Sequence, residues 1–216
     1  MSEKWEWLAE GALQLSLSGE MDPLRQRRLL AMAEPLRAEP GVLDVVPGML
    51  SLTILTDPLR LAPSELEQLA RQAWRKARPA REEGKTLEVP VRYGGEGGPD
   101  LLESANLAGL SIADFIDAHT LPLYEVAFLG FLPGFPYLMG LPEALHLPRR
   151  SQPRLRVPAG SVGIGGAQTG IYPLESPGGW QLIGRTELRF FDATRTAPSL
   201  LLPGDRLRFV PIGGAA

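Results

Sequence analysis

The sequence predicts an α+β domain followed by a mainly β domain, and three observations carry that reading. Helical and strand-like segments alternate through the first 80 or so residues. From Leu123 on, strand-like runs of four to seven residues alternate with Gly/Pro turns. Between Phe128 and Thr186 lie eleven of the chain's 24 glycines and eight of its 21 prolines. Glycine permits positive φ and proline fixes φ near −65°, so this stretch builds shaped loops rather than long helices. Loops of this kind, held on a scaffold, carry much of protein function.

The elements follow in order. Residues 5–17 alternate and read as a first strand, with Ala12, Leu13, Leu15 and Leu17. Asp22-Pro23 has the form of a helix start, an Asp cap with Pro in the first turn. Leu24, Leu29, Met32, Ala33 and Leu36 then recur at helical spacing, with Pro35 expected to kink or shorten the helix. Val42–Val46 and Leu50–Thr56 read as strands around a Pro47-Gly48 turn. Residues 63–78 form a second helical stripe through Leu66, Leu69, Ala70, Ala73 and Trp74. Leu87–Tyr93 reads as a fourth strand, placed at an edge by Pro90. The order β-α-β-β-α-β is the split βαβ, ferredoxin-like motif. The expected domains are 1–84 and 85–216, joined by a linker at Pro79–Lys85.

In the second domain, Asp100–Leu107 and Ser111–Ala118 read as short helices, the latter with a capping-box-like Ser111 and Asp114. YEVAFLG, LRVPAG, QTGIY, WQLIGRT, LRFF and RLRFVPI then read as strands of a small barrel or sandwich.

Composition excludes several chemistries. The chain is 44% hydrophobic with a net charge of −3, which argues against a general nucleic-acid binder. There is no cysteine, and His119 and His146 are the two histidines, so thiolate and multi-histidine metal sites are excluded. No run approaches a membrane helix, and MSEKWEWLAEG lacks a signal-peptide core, so a cytoplasmic protein is expected. GSVGIGG at 160–166 is neither a dinucleotide fingerprint nor a P-loop, and no serine-nucleophile elbow is present. The chain alone is therefore expected to bind no cofactor.

The candidate site is the Gly/Pro stretch. Consecutive N–H groups at 163–166 are a candidate anion nest. Four arginines (149, 150, 154 and 156) face one acid, Glu143, between Val126 and Leu174, giving a local +3 that suits an anion or acidic surface. Arg185 ends an apolar strand, where a guanidinium either caps structure or holds a carboxylate. Phe131, Phe135 and Tyr137 lie on a loop shaped by Pro133 and Gly134, and loop aromatics tend to face a ligand.

GFLPGFPYL, PRLRVPAGSVGI, QTGIYPLESPGGW and IGRT closely resemble one bacterial family. PVRYGGE and LSIADFIDAHT before them, and FFDATRTAPSLLLPGDRLRFVPI after them, extend the resemblance over Val89 to Ile212. Members are called allophanate hydrolase subunit 1, the B subunit of 5-oxoprolinase, or sporulation-kinase inhibitor. The resemblance implies a cyclophilin-like barrel. It also implies the B subunit of an ATP-dependent 5-oxoprolinase, opening 5-oxoproline to glutamate with a C-like subunit, a separate A subunit and ATP. Two alternatives accompany it: the carboxyltransferase half of a urea carboxylase-type enzyme, and an inhibitor of a sporulation histidine kinase. On this reading His119, in the matched DAHT motif, and Arg185 are the expected catalytic participants. Phe131, Pro133, Gly134, Phe135, Tyr137, Arg154, Gly160, Ser161, Gln168, Thr169, Tyr172, Ser176, Gly178, Gly179 and Trp180 are the expected binding residues, with no metal.

Overall fold

The structure is a computed structural model that describes residues 2–79 and 84–213. The chain divides into two compact units, residues 1–83 and 84–216. The linker expected at Pro79–Lys85 lies, over 80–83, outside the described residues.

The first unit runs β1 (Glu3–Ala9), β2 (Ala12–Leu17), α1 (Pro23–Arg37), β3 (Val42–Gly48), β4 (Ser51–Thr56) and α2 (Pro63–Lys76). Its antiparallel sheet has the order β1-β2-β4-β3. Leu13 pairs with Ile54 and Leu15 with Leu52, which puts these four side chains on one face. They are buried there against Leu29, Met32 and Leu36 of α1 and Leu66, Ala70 and Trp74 of α2. Asp22 caps α1 by accepting from Leu24 N, and the helix continues through Pro35 to Arg37.

Within the expected first domain two strand assignments are corrected, and the turn read at Pro47-Gly48 falls instead at Met49-Leu50, because Pro47 and Gly48 still pair with Leu52 and Ser51. The single strand read at 5–17 is a hairpin, with Ala9 opposite Ala12 and a turn at Glu10-Gly11. A Cβ at Gly11 would lie 2.5 Å from Thr56 O, so the turn demands glycine. The fourth strand beside β2 is thus β1, from before α1, giving the order ββαββα.

Leu87–Tyr93 instead belongs to the second unit, as β5 (Thr86–Tyr93). It lies between two barrel strands rather than at an edge. Val91 turns its carbonyl toward the following parallel strand, accepting from Ile212 N. Pro90 therefore presents its missing donor to the other flank, where the neighbouring strand pairs with Arg92 and Tyr93 and not with Pro90.

After β5 come α3 (Leu101–Ala108), α4 (Ile112–Thr120), β6 (Tyr124–Leu129), β7 (Pro136–Met139), β8 (Arg154–Val157), β9 (Ser161–Gly165), β10 (Gln168–Ile171), β11 (Ser176–Gly178), β12 (Gln181–Arg185) and β13 (Arg206–Pro211). The described residues close a seven-stranded barrel in the order β10-β7-β6-β13-β5-β12-β9. The β5–β13 pair is parallel. Strands β8 and β11 pair separately. Val89, Val91, Val126, Leu138, Val162, Ile164, Ile171, Ile183 and Phe209 fill the barrel, and α4 lays Phe115 and Ile116 onto it. The N-cap expected at Ser111 is present: its hydroxyl accepts from Asp114 N. LRFF is not a strand. That segment is irregular, with one bridge between Phe191 and Ser199. No helix among the described residues is long and apolar enough to cross a membrane.

Candidate functional site

The structure separates the expected site residues into three places. The first is a pocket of about 210 Å³ walled by Phe131, Phe135, Tyr137, Tyr172, Trp180 and Arg149, with Gly178 and Gly179 at its margin. Four of the rings pack mainly edge-to-face: Phe135 on Tyr172 at 5.1 Å and on Trp180 at 5.4 Å, and Tyr137 on Trp180 at 5.8 Å. With Val157 and Leu182 they form a cluster apart from the barrel core. The sequence makes room for it. A Cβ at Gly165 would sit 2.5 Å from Trp180 Nε1, and only glycine lets the indole lie flat against β9.

The loop over this pocket has unusual geometry. Phe135 N donates to Leu132 O, and Gly134 has φ of 78°, which together with Pro133 makes a type II turn. Just before it, Leu132 N donates to Gly130 O across Phe131, whose φ is 66°. That is a γ-turn of the rare, strained hand, centred on a bulky residue. Phe131 is 60% exposed, and its ring leans edge-on toward Phe135 and Tyr172.

The segment bearing Arg149 is fixed by Asp100, which the sequence places only at the start of a short helix. Asp100 is 3% exposed. Its Oδ1 accepts from Arg150 Nη1 at 2.9 Å and Arg154 Nη2 at 2.6 Å, and its Oδ2 accepts from Leu182 N at 2.7 Å. Arg154, expected as a ligand contact, is thus engaged in holding this segment. Arg150 N also donates to Gly179 O. Arg149 is left at the rim, its guanidinium 6.0 Å over the Trp180 ring, with no ion pair recorded for it among the described residues. Burial pushes the Tyr172 phenol up to about 12 and raises Tyr137 as well, so both carry their protons at neutral pH.

The second place is an open cleft of about 980 Å³ lined by Arg92, Arg185, Arg189, Glu96, Glu187, Gly160 and others. Arg185 faces Arg92 directly across the β5–β12 pair. Opposed like charges on a sheet are unfavourable. Among the described residues no carboxylate forms an ion pair with either arginine, although Glu96 and Glu187 share the cleft. Arg185 Nε donates to Ala159 O at 3.1 Å, which aims the guanidinium. Trp180 precedes β12 and Arg185 ends it, so strand rise puts their backbones roughly 16 Å apart. One small ligand does not reach both.

The third place is the barrel interior. His119 is fully buried and lines neither opening. Thr169 donates to Gly163 O, so its oxygen accepts from His119 Nε2–H at 3.1 Å. Nδ1 then accepts from the Tyr93 hydroxyl at 2.8 Å. Phe209 stacks on the imidazole at 4.6 Å, and Tyr124 donates to the His119 carbonyl. Burial lowers this imidazole to about 3. A neutral ring with both nitrogens engaged fastens α4 to four barrel strands. Ser161 is buried in β9, Gln168 is half-buried at the start of β10, and Ser176 donates to the neighbouring Pro177 O.

The anion nest expected at 163–166 is overturned. Gly163 and Ile164 are strand residues paired on both sides, Gly165 pairs with Gln168 of β10, and Gly166 N donates to Leu147 O. Among the described residues no group of three His, Cys, Asp or Glu is placed to hold a metal.

Residues 4–201 match the family described as carboxyltransferase domain, subdomain C and D. This chain belongs to that carboxyltransferase-domain family. The 5-oxoprolinase B subunit of Escherichia coli O157:H7 is 50% identical over 94% of this chain and 94% of its own length. The Haemophilus influenzae 5-oxoprolinase B subunit is 46% identical over 95% of this chain and 96% of its own. The crystal structure of TTHA0988 superposes with a TM-score of 0.80 at 44% identity, covering 94% of this chain. This chain spans 40% of that longer protein. Family members thus occur both as chains of this length and as part of a longer polypeptide.

Proposed function

We propose that the chain acts as the B subunit of an ATP-dependent 5-oxoprolinase, opening the lactam of 5-oxoproline to glutamate together with C-like and A subunits. The observation that carries this reading is full-length identity to proteins of that name at 38–50%. The missing nucleotide motif agrees with a shared reaction in which ATP is handled by the assembled complex. The same proposal takes the first unit as a ferredoxin-like sheet whose last strand has moved to the front, and the barrel as cyclophilin-like. It places the protein in the cytoplasm. A carboxyltransferase role is the second reading, favoured by the description of the matched domain.

Within this proposal the Arg92–Arg185 cleft receives an acidic segment of a neighbouring chain of the complex. It is open and wide, and its cross-strand arginines gain from incoming carboxylates. ATP-dependent release of glutamate from 5-oxoproline by the co-expressed subunits tests the function, with this chain alone expected to be inactive. Arg185→Glu is expected to abolish co-purification at physiological salt while leaving the circular dichroism spectrum unchanged. Arg185→Lys, which keeps the charge and loses the planar fork, is expected to weaken association several-fold. Wild-type association of both variants removes the docking role. Turnover of 5-oxoproline without ATP or partners overturns the functional reading itself.

A further inference from the structure

We infer that the aromatic pocket of the barrel unit is the seat of the five-membered lactam acid, its ring held edge-on among Phe131, Phe135, Tyr137 and Trp180 and its carboxylate turned to Arg149. The inference rests on the 5-oxoprolinase reading and adds to it where on this chain the substrate lies and which groups hold it.

Four observations converge on this pocket. Its size comes first. At about 210 Å³ it is smaller than the roughly 300–1,000 Å³ of pockets for drug-sized ligands, so its size matches one substituted small ring better than a nucleotide. Its walls are apolar faces and ring edges, the surroundings a flat amide ring prefers, with the Tyr172 hydroxyl at the wall beside Gly178.

The second observation is the strain at Phe131. A bulky residue held at φ of 66° in the rare γ-turn is costly, and the ring it displays is mostly exposed. Stability alone does not explain it: the neighbouring positive-φ position of the same loop is glycine, Gly134. The turn puts the Phe131 ring over the pocket mouth, edge-on to Phe135 and Tyr172.

The third is charge. Arg149 stands at the rim as a cation with no ion pair among the described residues, while its neighbour Arg150 and the nearby Arg154 are committed to Asp100. A guanidinium beside a ring-shaped hollow provides one anion contact at a set distance from the ring seat, which is the layout of a cyclic amino-acid derivative. The fourth is rigidity. Asp100, the Arg150–Gly179 hydrogen bond and the glycine floor at Gly165 hold the wall in place before a ligand arrives.

The test uses the assembled complex and three probes: 5-oxoproline, 2-pyrrolidone, which lacks the carboxylate, and proline, which lacks the lactam carbonyl. Binding is measured by calorimetry without ATP, and turnover with it. Phe131→Ala is expected to weaken 5-oxoproline and 2-pyrrolidone alike, tenfold or more. Arg149→Gln is expected to weaken 5-oxoproline tenfold and leave 2-pyrrolidone unchanged. In both variants KM rises by the same factor and kcat stays within about twofold. Unchanged KM and unchanged binding in both variants overturn the assignment even in a fully active complex. A wild-type complex that binds 5-oxoproline in a Phe131- and Arg149-dependent way but never turns it over overturns the 5-oxoprolinase reading and keeps the pocket.

Discussion

His119→Asn is expected to destabilise the barrel unit by about 3 kcal/mol and to flatten its response to acid. The shorter side chain gives up the stack on Phe209 and at least one of the two hydrogen bonds to Tyr93 and Thr169, in a fully buried site. The acid response follows from the proton balance. In the folded protein the imidazole titrates at about 3, below its ordinary 6.5, because burial penalises the charged form. Between those two values the unfolded chain binds a proton that the native state refuses. The contribution is therefore complete above pH 6.5 and is lost as pH falls toward 3. Its full size is on the order of 4–5 kcal/mol, of which about 2–3 is lost by pH 4.5. Urea unfolding at pH 7 and 4.5 should show the wild type losing that much more than His119→Asn. Turnover per folded molecule should hold. Normal stability with a hundredfold loss of turnover would instead assign His119 to the chemistry.

The histidine illustrates how far the sequence was legible. The short helix read at Ser111–Ala118 was legible, and α4 carries it on to Thr120 so that it takes in His119. The burial of His119 was not, because the partners Tyr93, Thr169 and Phe209 come from three distant strands. The same limit applies elsewhere. Alternation over residues 5–17 continues in phase through the turn at Glu10-Gly11, so two strands read as one. Leu87–Tyr93 was recognisable as a strand, but its sheet is decided by parallel pairing with residues 206–211. SVGIG looked like a loop because glycine is rare in strands; here small residues are required where Trp180 packs on β9. The aromatic loop was legible because Pro-Gly fixes a turn locally. Arg92 and Asp100 were missed as functional positions: nothing near them in the chain says that Arg185 or the 149–154 segment lies alongside.

Asp100→Ala is expected to be the most damaging single change in the barrel unit, costing about 3–5 kcal/mol. The carboxylate is buried and serves three donors: Arg150, Arg154 and the Leu182 N–H. Removing it leaves two neighbouring guanidinium groups without their counter-charge and strands a buried backbone donor. Relief is limited, because Arg150 Nε and Arg154 Nη1 are already buried with no hydrogen-bond partner among the described residues. Asp100→Asn keeps the shape and one acceptor but not the charge, so a smaller loss of about 2 kcal/mol is expected. The functional consequence separates the clamp from a role in stability alone. Asp100 does not line the aromatic pocket, yet it fixes the segment that carries Arg149 and the strand that follows Trp180. In Asp100→Asn, assayed well below its melting temperature, KM for 5-oxoproline should rise tenfold with kcat nearly unchanged. Combining it with Arg149→Gln should add little further, because both act on the same contact. Full additivity of the two substitutions in KM would show that the clamp and the rim arginine are independent. An unchanged KM in a folded Asp100→Asn would confine the clamp to stability.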